Sequence, residues 1–275
     1  MTPTPDDPPA AADAAPRATP SPARTPVAVR GTVIGGDRPV VVVPLTGSTQ
    51  DALLAEARAV VAAAPDVVEW RVDHLADGAP RPEQVVAVGR ALVAALAGLP
   101  LLVTVRTAHE GGRADVDDAA YEALQTAALD ARLADLLDVE TGRDAATVAR
   151  LVARAHAAGV PVVGSSHDFD RTPPREVLVA RLLGMAAAGA DVLKIAVMPH
   201  DPGDVLTLLA ATWETAGRTD RPLITMAMGE LGVASRVAGG AFGSAATFGT
   251  VGAPSAPGQV ELGALRAALG VVHPG

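Results

Sequence analysis

The run GADVLKIAVMP, from Gly189 to Pro199, decides how this chain is read. Val192, Leu193, Ile195, Ala196 and Val197 are apolar on both parities, the pattern of a strand covered on both faces, as in a parallel sheet flanked by helices. The one charged residue between Val192 and Val197, Lys194, is the only lysine among 22 basic residues. An ammonium in such a strand loses its hydration and must be compensated. Alternate strand residues face opposite ways, so Val192, Lys194 and Ala196 share one side, and Leu193, Ile195 and Val197 the other.

Outward from this run, similar segments recur. PVVVVPL (39–45), DVVEWRV (66–72), LLVTVRT (101–107) and LLDVE (136–140) precede it, with PVVGSSH (161–167). PLITMAM (222–228) and AATFGT (245–250) follow. Helical patterns lie between them, among them TQDALLAEARAVVAAA, DDAAYEALQTAALDARLADLL, DAATVARLVARAHAAG and DPGDVLTLLAATWETAG. Eight strands alternating with helices predict the α/β class and a (β/α)8 TIM barrel. A doubly wound sheet would place a Gly-rich loop after its first strand, and PLTGSTQD is a poor one. PVAVRGTVIGGDRP, before the first strand, reads as a β-hairpin with a Gly-Gly turn, suited to closing the barrel bottom. Residues 1–25, rich in Pro and Ala, read as a disordered tail, and 26–275 as a single barrel domain.

The 275-residue chain carries a formal charge of −9, which disfavours nucleic acid. It has no cysteine, hence no disulfide or thiolate chemistry. No apolar run has the length of a membrane span, and no charged segment leads into an apolar signal core. The expectation is a cytoplasmic protein.

Polar residues concentrate on one strand parity. Glu69, Arg71 and Asp73 share a face, as do Thr104 with Arg106 and Asp138 with Glu140. Most fall near C-terminal strand ends, where barrel enzymes hold their active sites, and His167 arrives at the same rim. Asp138 and Glu140 also suit plain neutralisation of arginines, and Lys194 could snorkel to a carboxylate. Convergence from several strands favours chemistry: a buried amine beside Arg71, Arg106 or Arg236 is set up to attack a carbonyl and form a Schiff base. The next step needs a proton shuttle, the natural work of His167, with Glu110 placed to orient it. His74, His109, His156, His200 and His273 read as structural. No HxH or HExxH spacing points to a metal.

Taken together, EWRVD (69–73), TVRTAHEGG (104–112), SSHDF (165–169), GADVLKIAVMP, ITMAMGELGVASR (224–236), FGSAATFG (242–249) and SAPGQ (255–259) resemble the type I 3-dehydroquinate dehydratases, the Schiff-base dehydratases of the shikimate pathway. The resemblance runs from about Val27 to the C-terminus. It implies cofactor-free dehydration of 3-dehydroquinate to 3-dehydroshikimate by a homodimer. Lys194 matches the lysine that attacks the ketone, His167 the base, and Glu110 its carboxylate partner. Glu69, Arg71 and Arg106 match groups that hold ring hydroxyls; Arg236, Ser255 and Gln259 match those around the substrate carboxylate. Met226, Met228 and Phe248 match apolar lining residues. VGAPSAPGQ (251–259) fits a mobile lid, and Pro44 stands where some relatives carry a polar residue. The rival readings are a class I aldolase, which would want a phosphate site near the last strands, and a non-catalytic sensor of quinate-like ligands.

Overall fold

A computed structural model of the chain describes residues 24–75, 80–252, 256 and 258–273. Most of the expected N-terminal tail, and Ser255, lie outside the described residues.

All eight expected strands form. They are β3 (Val40–Leu45), β4 (Val67–Arg71), β5 (Leu101–Thr104), β6 (Leu136–Glu140), β7 (Val162–Asp168), β8 (Val192–Val197), β9 (Leu223–Ala227) and β10 (Ala246–Thr250). They pair in parallel in chain order from β3 to β9, and β10 pairs with β3. Between β9 and β10 there is no full ladder. A single bridge joins Leu223 to Ser244, supported by Ala245 N donating to Leu223 O at 2.6 Å and Thr225 N to Ser244 Oγ at 3.1 Å. The curled sheet thus closes into a barrel with one thin seam. A two-residue strand, β11 (Val260–Glu261), adds in parallel to the end of β10 and brings Gln259 to the rim.

Strand parity sorts the core into two clusters. Val43, Val68, Trp70, Val103, Leu137, Leu193 and Ile195 point outward beneath the helices. Val42, Val67, Leu102, Leu136, Val163, Val192 and Ile224 fill the lower interior, with Ala196, Met226 and Phe248 higher up. The interior positions above this lower apolar layer are where the charged residues appear.

The hairpin closes the bottom as expected: β1 (Val27–Val29) pairs antiparallel with β2 (Thr32–Ile34), and Val27, Val29 and Ile34 join the interior cluster. Its turn is not the expected Gly-Gly. Val29 pairs with Thr32, so the two-residue turn is Arg30-Gly31, both with positive φ (41° and 83°), the geometry that matches strand twist in tight hairpins. Gly35, φ 92°, instead lets the chain pass Pro222, where a Cβ would meet the proline ring at 2.9 Å.

The helices begin where side-chain caps allow. Thr49, Asp117, Asp144 and Asp201 each accept an N–H in the first turn of α1 (Gln50–Ala63), α3 (Asp118–Asp130), α4 (Ala145–Ala157) and α6 (Pro202–Ala216). α3 is shorter than its helical pattern: Arg132 takes φ 54°, turning the chain back toward β6. The remaining helices are α2 (Pro82–Ala95), α5 (Arg175–Ala187), α7 (Val233–Ala238) and α8 (Leu262–Val272). Among the described residues, no helix is long and apolar enough to cross a membrane.

Candidate active site

The interior side chains at the C-terminal ends of the strands meet in one cavity of about 100 Å³. It is lined by Glu69, Arg71, Arg106, Glu110, His167, Lys194, Met226, Met228, Arg236, Phe248 and Gln259, among others. Every expected site residue within the described chain therefore borders a single space. Ser255 lies outside the described residues.

Register explains the convergence. Ser165 on β7 pairs with Lys194 on β8, and His167 pairs with Ala196. His167 thus projects inward one interior position closer to the rim than Lys194.

Lys194 is 3% exposed. Its nearest charged neighbours are carboxylates, not the arginines of the sequence reading. Nζ donates to Asp138 Oδ2 at 3.0 Å and to Glu69 Oε1 at 3.4 Å, and it lies 4.8 Å from the centroid of the Phe248 ring. Glu69 Oε1 also accepts from Thr104 Oγ1 at 2.9 Å. Burial alone would raise the Asp138 carboxyl, but Arg106 and Lys194, helped by Ser165, hold it down at about 2. It is a fixed anion under the amine.

Arg106 is the hub of this network. Nη2 donates to Asp138 Oδ1 at 2.7 Å. Nη1 lies within 3.2 Å of Glu110 Oε2 and 3.0 Å of both Glu140 Oε1 and Ser165 Oγ. Burial opposes this charge, but Asp138, Glu140 and Glu110 outweigh it and push the guanidinium above its ordinary value. Both terminal nitrogens are committed within the protein, which suits a floor that orients carboxylates better than a group free to grip ring hydroxyls. The alternative reading of Asp138 and Glu140, as partners of an arginine, holds for Arg106; the same Asp138 also serves Lys194.

His167 Nδ1 lies 2.9 Å from Glu110 Oε2. Burial, then the charges of Arg106, Lys194 and Arg71, push the imidazole well below its ordinary value, so it is neutral at neutral pH. Burial pushes Glu110 up to about 8, with Arg106 pulling the other way. Glu110 stands in a single 3₁₀ turn, Ala108–Glu110, closed by Gly111 with φ 76°. A side chain at Gly111 would collide with the Phe169 ring, so this turn and the end of β7 are packed as one unit.

Arg71 points at the same cavity through a two-pronged bond to Asp73: Nε to Oδ1 at 2.8 Å and Nη2 to Oδ2 at 2.7 Å. Burial opposes the Asp73 carboxylate, yet Arg71 holds it below the usual range. Backbone N–H groups of Arg106 and Arg113 also reach Asp73, tying the β4 and β5 loops together. Across the cavity, Arg236 is buried on α7, with Nη1 3.6 Å from Met226 Sδ. Burial lowers it to about 10, which leaves it a cation at neutral pH. Ser165 is the network member that the sequence reading does not single out; it puts Asp73, Asp138 and Glu140 on the inward parity near the rim but gives them no part in the chemistry. Inward parity and rim position were the available signal.

Comparison with known proteins identifies relatives over most of the chain. A 3-dehydroquinate dehydratase of Klebsiella pneumoniae is 48% identical over 234 residues, 85% of this chain and 93% of that protein. One from Lactiplantibacillus plantarum is 46% identical over 243 residues, 88% and 96% of the two chains. The crystal structure of the type I 3-dehydroquinate dehydratase of Clostridium difficile, with covalently modified comenic acid, superposes with a TM-score of 0.88 at 38% identity. It covers 91% of this chain and 99% of that one. The sequence profile of the type I 3-dehydroquinases matches residues 41–275, and the chain belongs to that family.

Proposed function

We propose that this protein dehydrates 3-dehydroquinate to 3-dehydroshikimate in the shikimate pathway through a Schiff base on Lys194. One observation carries the reading: Lys194 and His167, on adjacent strands and of the same parity, border one cavity whose wall holds buried arginines, with the amine held by the fixed anion Asp138. Family membership favours dehydration over the aldolase and sensor alternatives.

The Lys194 amine, having passed a proton to His167, adds to the C3 ketone. The carbinolamine hydroxyl takes a proton and leaves as water, giving the protonated imine. This electron sink acidifies C2–H, and His167 takes that proton as the C–H electron pair becomes the enamine. The enamine then expels the C1 hydroxyl, which receives the same proton from His167 and departs as water. Hydrolysis of the enone imine frees the product and restores Lys194. In this reading His167 Nδ1–H donates to Glu110 Oε2, which leaves Nε2 as the basic nitrogen.

Arg236, with Gln259 and Ser255, grips the substrate carboxylate; a guanidinium fits that group in two-pronged fashion. Glu69 and Arg71 hold ring hydroxyls. Met226, Met228 and Phe248 cover the apolar ring face. The protein works as a cytoplasmic homodimer whose single catalytic domain is the barrel, with the 251–259 segment as its lid.

The test is borohydride reduction with and without 3-dehydroquinate, followed by mass analysis of the Lys194 peptide alongside a spectrophotometric assay of enone formation. A substrate-dependent adduct on that peptide, matched by lost activity, is expected. A folded protein that makes neither adduct nor enone refutes the reading.

A further inference from the structure

β5 ends at Thr104, whereas its neighbour β6 runs on to Glu140. Thr104 pairs with Asp138 as the last rung between them; past it, Arg106 turns away toward the 3₁₀ turn at Ala108–Glu110. The backbone carbonyl of Asp138 and the N–H of Glu140 lie on the β5 side of β6, since Thr141 N–H and Leu137 N–H go to β7. Without β5 beside them, two buried backbone groups would be left to find partners elsewhere.

Two side chains of α3 supply those partners. Gln125 Nε2 donates to Asp138 O at 2.7 Å, and the Glu140 N–H donates to Tyr121 Oη at 3.0 Å. Gln125 Nε2 also donates to Tyr121 Oη at 3.1 Å, which locks the two side chains together. Both residues are fully buried. Arg143 stacks over the Tyr121 ring, 4.5 Å from its centroid, and holds Asp118 at the start of α3 through Nε at 2.6 Å. The tyrosine and glutamine therefore stand in for the missing strand at the two residues whose carboxylates matter most. Asp138 carries Lys194 and one end of Arg106, and Glu140 carries the other end.

We propose that Tyr121 and Gln125 are positioning residues for the Schiff-base lysine: by completing the β6 ladder beyond the end of β5, they fix the height of Asp138 and Glu140, and through them the Lys194 amine. This rests on the assignment of Lys194 as the amine that attacks the substrate. The helix of one βα unit thereby controls the geometry of a nucleophile carried two strands away.

The experiment uses Tyr121→Phe, Gln125→Leu and a control, Leu124→Ala, which lies buried on the same helix and makes no bond to β6. The full-length proteins are compared by thermal melting, by kcat and KM for 3-dehydroquinate, and by the rate of borohydride trapping at saturating substrate. Tyr121→Phe and Gln125→Leu should lower kcat and the trapping rate together by about ten- to a hundredfold, the range typical of groups that orient a site's ligands, with KM changed less than about threefold. Leu124→Ala should trap at nearly the wild-type rate despite an equal or larger fall in melting temperature. Trapping slowed equally in all three variants would reduce the role to general stability and overturn the proposal, as would wild-type trapping in Tyr121→Phe. A wild-type protein that is folded yet forms no adduct would refute the lysine assignment itself, a different failure from the other two.

Discussion

Lys194 and Asp138 meet at 3.0 Å across the barrel interior although β7 runs between their strands. The contact is shared, since the second oxygen of Asp138 is taken by Arg106 at 2.7 Å. A lysine fully enclosed in a strand layer is thus kept in place by an anion that a cation on another strand also needs. The resting amine is an ion pair, and substrate must draw it out of that pair to react.

Removing the anion should therefore be felt in stability as well as in rate. Asp138→Asn leaves Arg106 and Lys194 short of one buried negative charge, and breaking such a pair costs on the order of 3–5 kcal/mol. Urea unfolding should show a lower midpoint with an unchanged slope. A midpoint within experimental error of wild type would mean that Glu69 alone suffices to hold the amine.

Lys194→Ala should abolish turnover, by about four orders of magnitude or more, as expected when a nucleophile is deleted. Circular dichroism should still report the barrel. Activity near that of the wild type would eliminate covalent catalysis at this site.

His167→Ala separates the steps. The imine should still form and be trapped by borohydride, slowly, while enone production falls about 10²- to 10⁴-fold. A variant that is folded and binds substrate, yet never yields an adduct, would move the role of His167 to the first step alone.

The pH profile follows from the same histidine. The base is the neutral imidazole, and burial with three nearby cations pushes its titration well below the ordinary value. Activity should thus persist as pH falls to 6.5 and decline only beneath it, as protons reach Nε2. The acidic limb of kcat/KM reports the free enzyme; a limb at or above pH 6.5 would show that another group governs it.

Arg236→Lys tests the carboxylate grip. A lysine keeps the charge but loses the planar pair of donors, so KM should rise roughly ten- to a hundredfold with a smaller change in kcat. Equal losses in both would assign Arg236 to the reacting end of the substrate.

Much of this architecture was legible in the residues because parity is a strict geometric rule. The alternation in EWRVD, LLVTVRT and VLKIAVM is enough to put Glu69, Arg71, Thr104 and Lys194 on the inward face. What escaped were matters of partner choice. Asp138 could be assigned inward, yet nothing local says that its two oxygens divide between Arg106 and Lys194, because those contacts are 32 and 56 residues away in the chain. Tyr121 and Gln125 read as ordinary members of a helix, since their task exists only where β5 stops short of β6. The hairpin turn was misplaced for a local reason. Gly-Gly adopts positive φ more readily than Arg-Gly, and the pairing of Val29 with Thr32, rather than turn chemistry, selects the latter.

The solitary lysine has a practical corollary. A peptidase that cuts only after lysine has one site in this protein, and that site lies within a central strand of the barrel. Cleavage into two fragments can occur only when β8 leaves the sheet, so the appearance of those fragments is a clock for opening of the barrel, free of background from surface loops. A substrate-derived group reduced onto Lys194 would erase the site, and the resistant fraction of the chain would count modified molecules directly.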